Sequence, residues 1–277
     1  KGRVDYTISF TSVHLWLTWL LVSYLALNFL NVVRPFPIGW DDLGSYMNTP
    51  RLLSSYGHFI SSLARFQWEY LTSLGFTIFG YDSFVGSTFA MQINWAAGVL
   101  ATLSVYIFAR TFFGKNSGLL SAILYTFLPV VGHFSFADMK IDNATFFTSA
   151  LGIFAIFLAI EESSKQKKYA LLCVAGALLS FSFAIKATAI LALLLSFTVL
   201  TMAWLGVRGG ILASAASLLI LAVYGPLSLQ SILTLSGFEV TIPTWILPSL
   251  LIGAMVILMI VIVRSKQGVI LRQWIQE

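Results

Sequence analysis

The chain has 277 residues, of which 58% are hydrophobic and only 10% charged, with a mean hydropathy of +0.88. Soluble domains carry roughly a quarter charged residues, so a water-soluble globule is excluded, and an aromatic content of 15% excludes a low-complexity or disordered chain. The single cysteine, Cys173, stands in an apolar run, which excludes an internal disulfide framework or a Cys-based metal site.

At about 20 residues per crossing, the chain is expected to form one all-α, polytopic transmembrane bundle over residues 1–277. Apolar runs at 8–33, 85–109, 119–136, 144–160, 170–185, 187–205, 211–235 and 246–263 predict about eight crossings. Each is expected to be helical, because the bilayer core offers no water to an open backbone. The first run is too long for a cleavable signal core. Lys186 alone separates the fifth run from the sixth.

A long connection, 34–84, follows the first crossing. It opens with the turn-like Arg34-Pro-Phe-Pro-Ile-Gly-Trp-Asp-Asp, and Thr49-Pro50 then predicts a helix start, with Thr as N-cap and Pro at the first position. Over 49–66, Leu52, Leu53, Tyr56, Phe59, Ile60 and Leu63 share one helical face. Such an amphipathic helix is expected to lie in the membrane interface, with Trp68 and Tyr70 as interfacial aromatics. The other connections are short.

Charge placement sets the orientation. Eleven of the sixteen Lys and Arg fall on one side, including Lys1, Arg3, Arg110, Lys115 and Arg208, against four acids. The opposite side holds five basic residues and seven acids. By the positive-inside rule the first side, with both termini, is cytoplasmic. The pI of about 9.4 is therefore a topology signal, and nucleic acid is not an expected partner.

Three charged constellations share the external side. The first is Trp40-Asp41-Asp42. It reads either as a solvated turn or as a catalytic pair, one Asp a general base toward an acceptor hydroxyl or amine, the other orienting the acceptor or a metal. The second is Asp138-Met-Lys-Ile-Asp142. If helical, it sets Asp138 and Asp142 on one face with Lys140 off it. Ordinary N-capping explains one of the acids but not Lys140. His133 lies close by and reads more simply as structural. The third is Lys186, either a lysine snorkelling at a tight turn or a cation for a lipid-borne phosphate. Arg51 and Arg65 either extend that cationic field or serve as surface charges. Asn143-Ala-Thr145 spells a glycosylation sequon, too close to the membrane to carry weight.

In order and sidedness these motifs resemble the C-type glycosyltransferase superfamily, above all the protein O-mannosyltransferases and the lipid A aminoarabinose transferase. Gly39-Trp40-Asp41-Asp42 with the helix at 49–66 matches the acidic pair and interfacial helix of their first external loop. Asp138-Met-Lys-Ile-Asp142 resembles the acid that opens their fourth crossing. Phe183-Ala-Ile-Lys186-Ala-Thr looks like their lysine between short paired helices, with Ile185 and Ala187 replacing the usual Thr and Gly.

The resemblance implies inverting sugar transfer from a polyprenyl-phosphate donor to a protein, lipid or glycan acceptor at the external face of a cell membrane. Asp41 or Asp42 would be the base. Asp138 and Asp142 would bind the acceptor or a divalent ion, and Lys140 and Lys186 would hold the donor phosphate. A magnesium or manganese ion on Asp42 and Asp138 is compatible with the carboxylates, whereas no His/Cys zinc set is present. Relatives usually have more crossings, so the chain reads as a fragment lacking further C-terminal segments or as a reduced relative. Two rival readings are a lipid-linked sugar flippase, with Gly225-Pro226 breaking the seventh segment, and a non-catalytic assembly subunit.

Overall fold

A computed structural model describes residues 12–34, 36–39, 42–57, 67–136 and 138–235, and the regular structure among them is entirely helical. The chain runs through α1 (Ser12–Val32), a π-helical turn (Asp42–Met47), α2 (Asn48–Tyr56), α3 (Trp68–Phe79), α4 (Phe84–Phe113) and α5 (Lys115–Phe127). A second π-helical turn (Val130–Ser135), α6 (Asp142–Glu161), α7 (Lys165–Ile185), a 3₁₀ turn (Ala187–Ala189) and α8 (Ile190–Leu235) follow.

Among the described residues, five helices are long and apolar enough to cross a membrane, over Val13–Val32, Phe84–Phe113, Asp142–Glu161, Lys165–Ile185 and Ala187–Ile220. Their surfaces fit that solvent: α1 leaves Trp16 75% and Leu30 67% exposed, faces that water would penalise. The expected crossing at 119–136 is instead the 13-residue α5, interrupted after Phe127. At 1.5 Å per residue it covers about 20 Å, short of the roughly 30 Å hydrocarbon core. The sixth and seventh expected segments fall in the 3₁₀ turn and α8, which is interrupted at Gly206 (φ 73°), where the run of apolar residues was expected to end. No interruption occurs at Gly225-Pro226, where the backbone stays helical. The eighth expected segment, 246–263, lies outside the described residues.

The loop helix differs from expectation at both ends. It does not start on a Thr49 cap: α2 continues the π-helical turn, with Met47 already in helical geometry and no side-chain cap. It ends at Gly57, whose φ of 68° is the left-handed conformation that closes many helices. Residues 58–66 lie outside the described set. Trp68, expected in an interfacial belt, opens α3 and is 6% exposed. Its ring belongs to a core with Ala97, Ile141, Ala144 and Ile185.

The chain divides into two compact units, 1–190 and 191–277, and every described candidate site residue belongs to the first. Within it α4 is central, packing against α1, α3, α5 and α6, while α7 packs along α6 and α2 against α3. The contact of α3 with α4 is backbone on backbone. A Cβ on Gly75 would collide with the Gly86 carbonyl, and one on Gly86 would stand 2.9 Å from the Gly75 carbonyl. Small residues at helix crossings permit such approach in membranes. Where α6 meets α7, the Ser182 hydroxyl donates to the Thr145 carbonyl (2.9 Å) and lies 2.6 Å from the Ser149 hydroxyl.

Candidate active site

The segment from Asp138 to Asp142 organises the site. It is not the helix that an i,i+4 pairing requires, since α6 begins only at Asp142. Its side chains instead alternate. Met139 (1% exposed) and Ile141 (2%) enter the apolar core. Met139 packs with Val32, Met47, Phe76, Ala90 and Met91, and Ile141 packs with Trp68, Ala144 and Ile185. The charged residues between them are left to find polar partners. The backbone is fixed from α4, where the fully buried Asn94 amide donates to the carbonyls of Asp138 (2.7 Å) and Lys140 (3.0 Å).

Each charge of the segment meets an opposite charge from a different part of the chain. Asp138 Oδ1 accepts from Arg34 Nη2 at 2.8 Å and from the Ile38 backbone N–H at 2.8 Å. Lys140 Nζ stands 3.5 Å from Asp42 Oδ2 and 5.9 Å from the centre of the Tyr46 ring. Asp142 Oδ1 accepts from Lys186 Nζ at 2.6 Å. The three constellations read from the sequence are thus tied together through one segment. They gather at one end of the first unit, where α1 and α7 finish and α6 starts. Thr88, near the start of α4, donates to the Arg34 carbonyl at 2.9 Å and pins the same end.

The pairs differ in access. Asp42 has no exposed side-chain surface, while Lys140 is 26% exposed. Asp142 and Lys186 are 50% and 28% exposed, so that pair opens to the surroundings. Glycine shapes the buried end: a Cβ on Gly39 would collide with the Asp42 carboxylate. The Leu43 N–H donates to the Gly39 carbonyl (3.0 Å), closing the turn that carries Asp42.

Two residues, Arg34 and Asn94, escaped the sequence reading as site members. Arg34 was counted only as an external charge, although a cation directly after a crossing and before Pro35 marks a fixed position. Asn94 was hidden in an apolar run; a polar amide within a membrane span was the available signal. Glu69, in the first turn of α3, is 2% exposed beside Trp68. The Gln67 N–H donates to the Ala184 carbonyl (3.1 Å) and brings the start of α3 against the turn carrying Lys186.

Other expected members stand elsewhere. Arg51 pairs with Asp82 (2.9 Å), donates to the Tyr81 carbonyl and lies over the Tyr81 ring. Asp41, Arg65 and the His133 side chain lie outside the described residues. Asn143 of the sequon is 2% exposed and accepts from the Tyr125 hydroxyl at 2.9 Å. Among the described residues no three His, Cys, Asp or Glu side chains gather as a metal site. Asp42 and Asp138 each face a cation rather than one another, so this donor set does not fit a divalent ion.

Chemically, the arrangement sets a buried carboxylate and two lysines at one boundary, as proton transfer next to a phosphate requires. Residues 66–227 match the model of the dolichyl-phosphate-mannose-protein mannosyltransferase family. The match includes Asp138, Lys140, Asp142 and Lys186 and begins after Arg34 and Asp42. No curated protein and no solved structure matches the chain. With more than half of its length matched and an apolar helical bundle to carry the charges, the chain is a multi-pass membrane protein that belongs to the dolichyl-phosphate-mannose-protein mannosyltransferase family of membrane glycosyltransferases.

Proposed function

We propose that the chain transfers a sugar, mannose by the family's description, from a polyprenyl-phosphate donor to an acceptor hydroxyl at the external face, with inversion at the anomeric carbon. The acceptor is a protein in that description. The observation that carries the reading is the three-way pairing of Asp42 with Lys140, Asp138 with Arg34, and Asp142 with Lys186. It joins the acidic turn, the charged segment and the interhelical lysine into one polar cluster at the boundary of an apolar bundle.

In this reading the donor phosphate takes the place of the carboxylates beside Lys140 and Lys186. Moving Lys140 onto the phosphate releases the Asp42 carboxylate to act as a base. The acceptor oxygen attacks the anomeric carbon and its proton passes to Asp42. The bond from that carbon to the phosphate oxygen breaks, and its electron pair leaves on the phosphate, where the two lysines neutralise it. Single displacement from the face opposite the phosphate inverts the anomeric centre. Asp138 keeps its partner Arg34 throughout and holds the segment in place.

The test uses membranes containing the full chain, polyprenyl-phosphate mannose labelled in the sugar, and membrane proteins as acceptors. The reading expects labelled protein and released polyprenyl phosphate in equal amounts, the new linkage having the opposite anomeric configuration. Movement of intact donor across the bilayer without sugar transfer would overturn it in favour of a flippase.

A further inference from the structure

At the opposite end of the first unit lies a cavity of 360 Å³ between α1, α4 and α5. That is the size of a small-molecule site, and the carboxylate–lysine cluster plays no part in it. It is lined along α1 from His14 to Leu25 and along α4 from Val99 to Arg110. At 1.5 Å per residue both stretches measure about 16 Å, so the cavity is a slot along the helices. Its walls are polarised. Leu21, Val22 and Leu25 of α1 face Val99 and Leu103 of α4 at one end, and His14, Arg110 and Lys115 collect at the other.

Arg110 is the informative residue. It is half-buried in the last turn of α4, and its guanidinium meets the Tyr106 hydroxyl at 3.3 Å and the Tyr106 ring at 5.7 Å. Among the described residues no carboxylate pairs with it. A planar guanidinium has the donor geometry for a phosphate, and Lys115 adds a second positive charge at the same mouth. An apolar slot that ends at a guanidinium complements an amphiphile whose chain is apolar and whose head is anionic. Arg110 and Lys115 also stand on the side richest in Lys and Arg, where anionic lipid headgroups are drawn.

We propose that this slot binds an anionic phospholipid, with its phosphate on Arg110 and one acyl chain between α1 and α4. Such a lipid would wedge α1 against α4 at one end while the catalytic cluster joins them at the other.

Native mass spectrometry of the full chain in detergent, titrated with phosphatidylglycerol or with phosphatidylcholine of the same acyl chains, tests this directly. The unaltered chain is expected to retain phosphatidylglycerol roughly fivefold better, the worth of one cation near a headgroup. Arg110→Gln should lower phosphatidylglycerol binding more than phosphatidylcholine binding and so shrink that preference, and millimolar inorganic phosphate should not displace the lipid. Leu103→Trp, which fills the slot, should lower phosphatidylglycerol binding, and it decides the matter alone if Arg110→Gln cannot be purified. Equal retention of the two lipids, an unchanged preference in Arg110→Gln, displacement by inorganic phosphate, or full binding by Leu103→Trp would each overturn the proposal.

Discussion

Lys140 Nζ lies 3.5 Å from Oδ2 of Asp42, a carboxylate with no solvent exposure. Burying a charge is costly unless a counter-charge accompanies it, and removing one partner of such a pair is worse than removing both. Lys140→Gln should therefore destabilise the protein by up to about 3 kcal/mol, and adding Asp42→Asn should recover most of the loss. Thermal unfolding in detergent checks this. A double variant less stable than Lys140→Gln alone would show that the pair is not the source of the effect.

Gly39 offers a way to move Asp42 without changing its chemistry. A Cβ at that position would collide with the Asp42 carboxylate, so Gly39→Ala must displace it. Misplacement of a reacting group by about 1 Å can cost on the order of 100-fold in rate, and a loss of that size is expected in sugar transfer. Full activity in Gly39→Ala would mean that the position of Asp42 does not matter.

Asn94 holds two carbonyls of the charged segment from the middle of α4. Asn94→Leu keeps the size and removes both donors, leaving the carbonyls of Asp138 and Lys140 short of a partner. The expected cost is about 1–3 kcal/mol. Faster amide hydrogen exchange should be confined to 138–142 and to the turn carrying Asp42. Unchanged exchange there would show that apolar anchoring by Met139 and Ile141 fixes the segment without the amide.

The membrane class, the helical fold and the common grouping of the charged motifs were legible in the sequence, because hydropathy and charge scarcity respond to the same solvent. The pairing of charges was not. Asp138 and Asp142 are spaced as a helical couple, yet Met139 and Ile141 are drawn into the core, and the resulting alternation sends the flanking charges to three separate partners. Arg34 and Asn94 were missed because their importance lies in what they hold, Asp138 and its segment. Trp68 has the composition of an interfacial aromatic, but Ile141, Ala144 and Ile185 provide it with a dry site. At 119–136 apolarity signalled a crossing, but α5 ends early, where Leu128 turns extended before Pro129.

The exposed pair should respond differently from the buried one. Asp142 is half-exposed, so its bond to Lys186 is worth at most about 1 kcal/mol to folding, and Asp142→Asn should leave the melting temperature nearly unchanged. Lys186→Gln should raise the KM for polyprenyl-phosphate sugar, because the proposed mechanism sets the donor phosphate on Lys186. A large fall in thermal stability with an unaltered KM would assign Lys186 to the scaffold instead.

The central claim is that Asp42 takes the acceptor proton. Its most direct measurement is single-turnover sugar transfer by Asp42→Asn in membranes, with binding of the polyprenyl-phosphate donor measured alongside. The amide preserves shape but cannot act as the base, so donor binding should persist while transfer falls by 100-fold or more, within the ~10²–10⁴ range of general-base catalysis. Transfer at the unaltered rate would contradict the account and remove Asp42 from the chemistry.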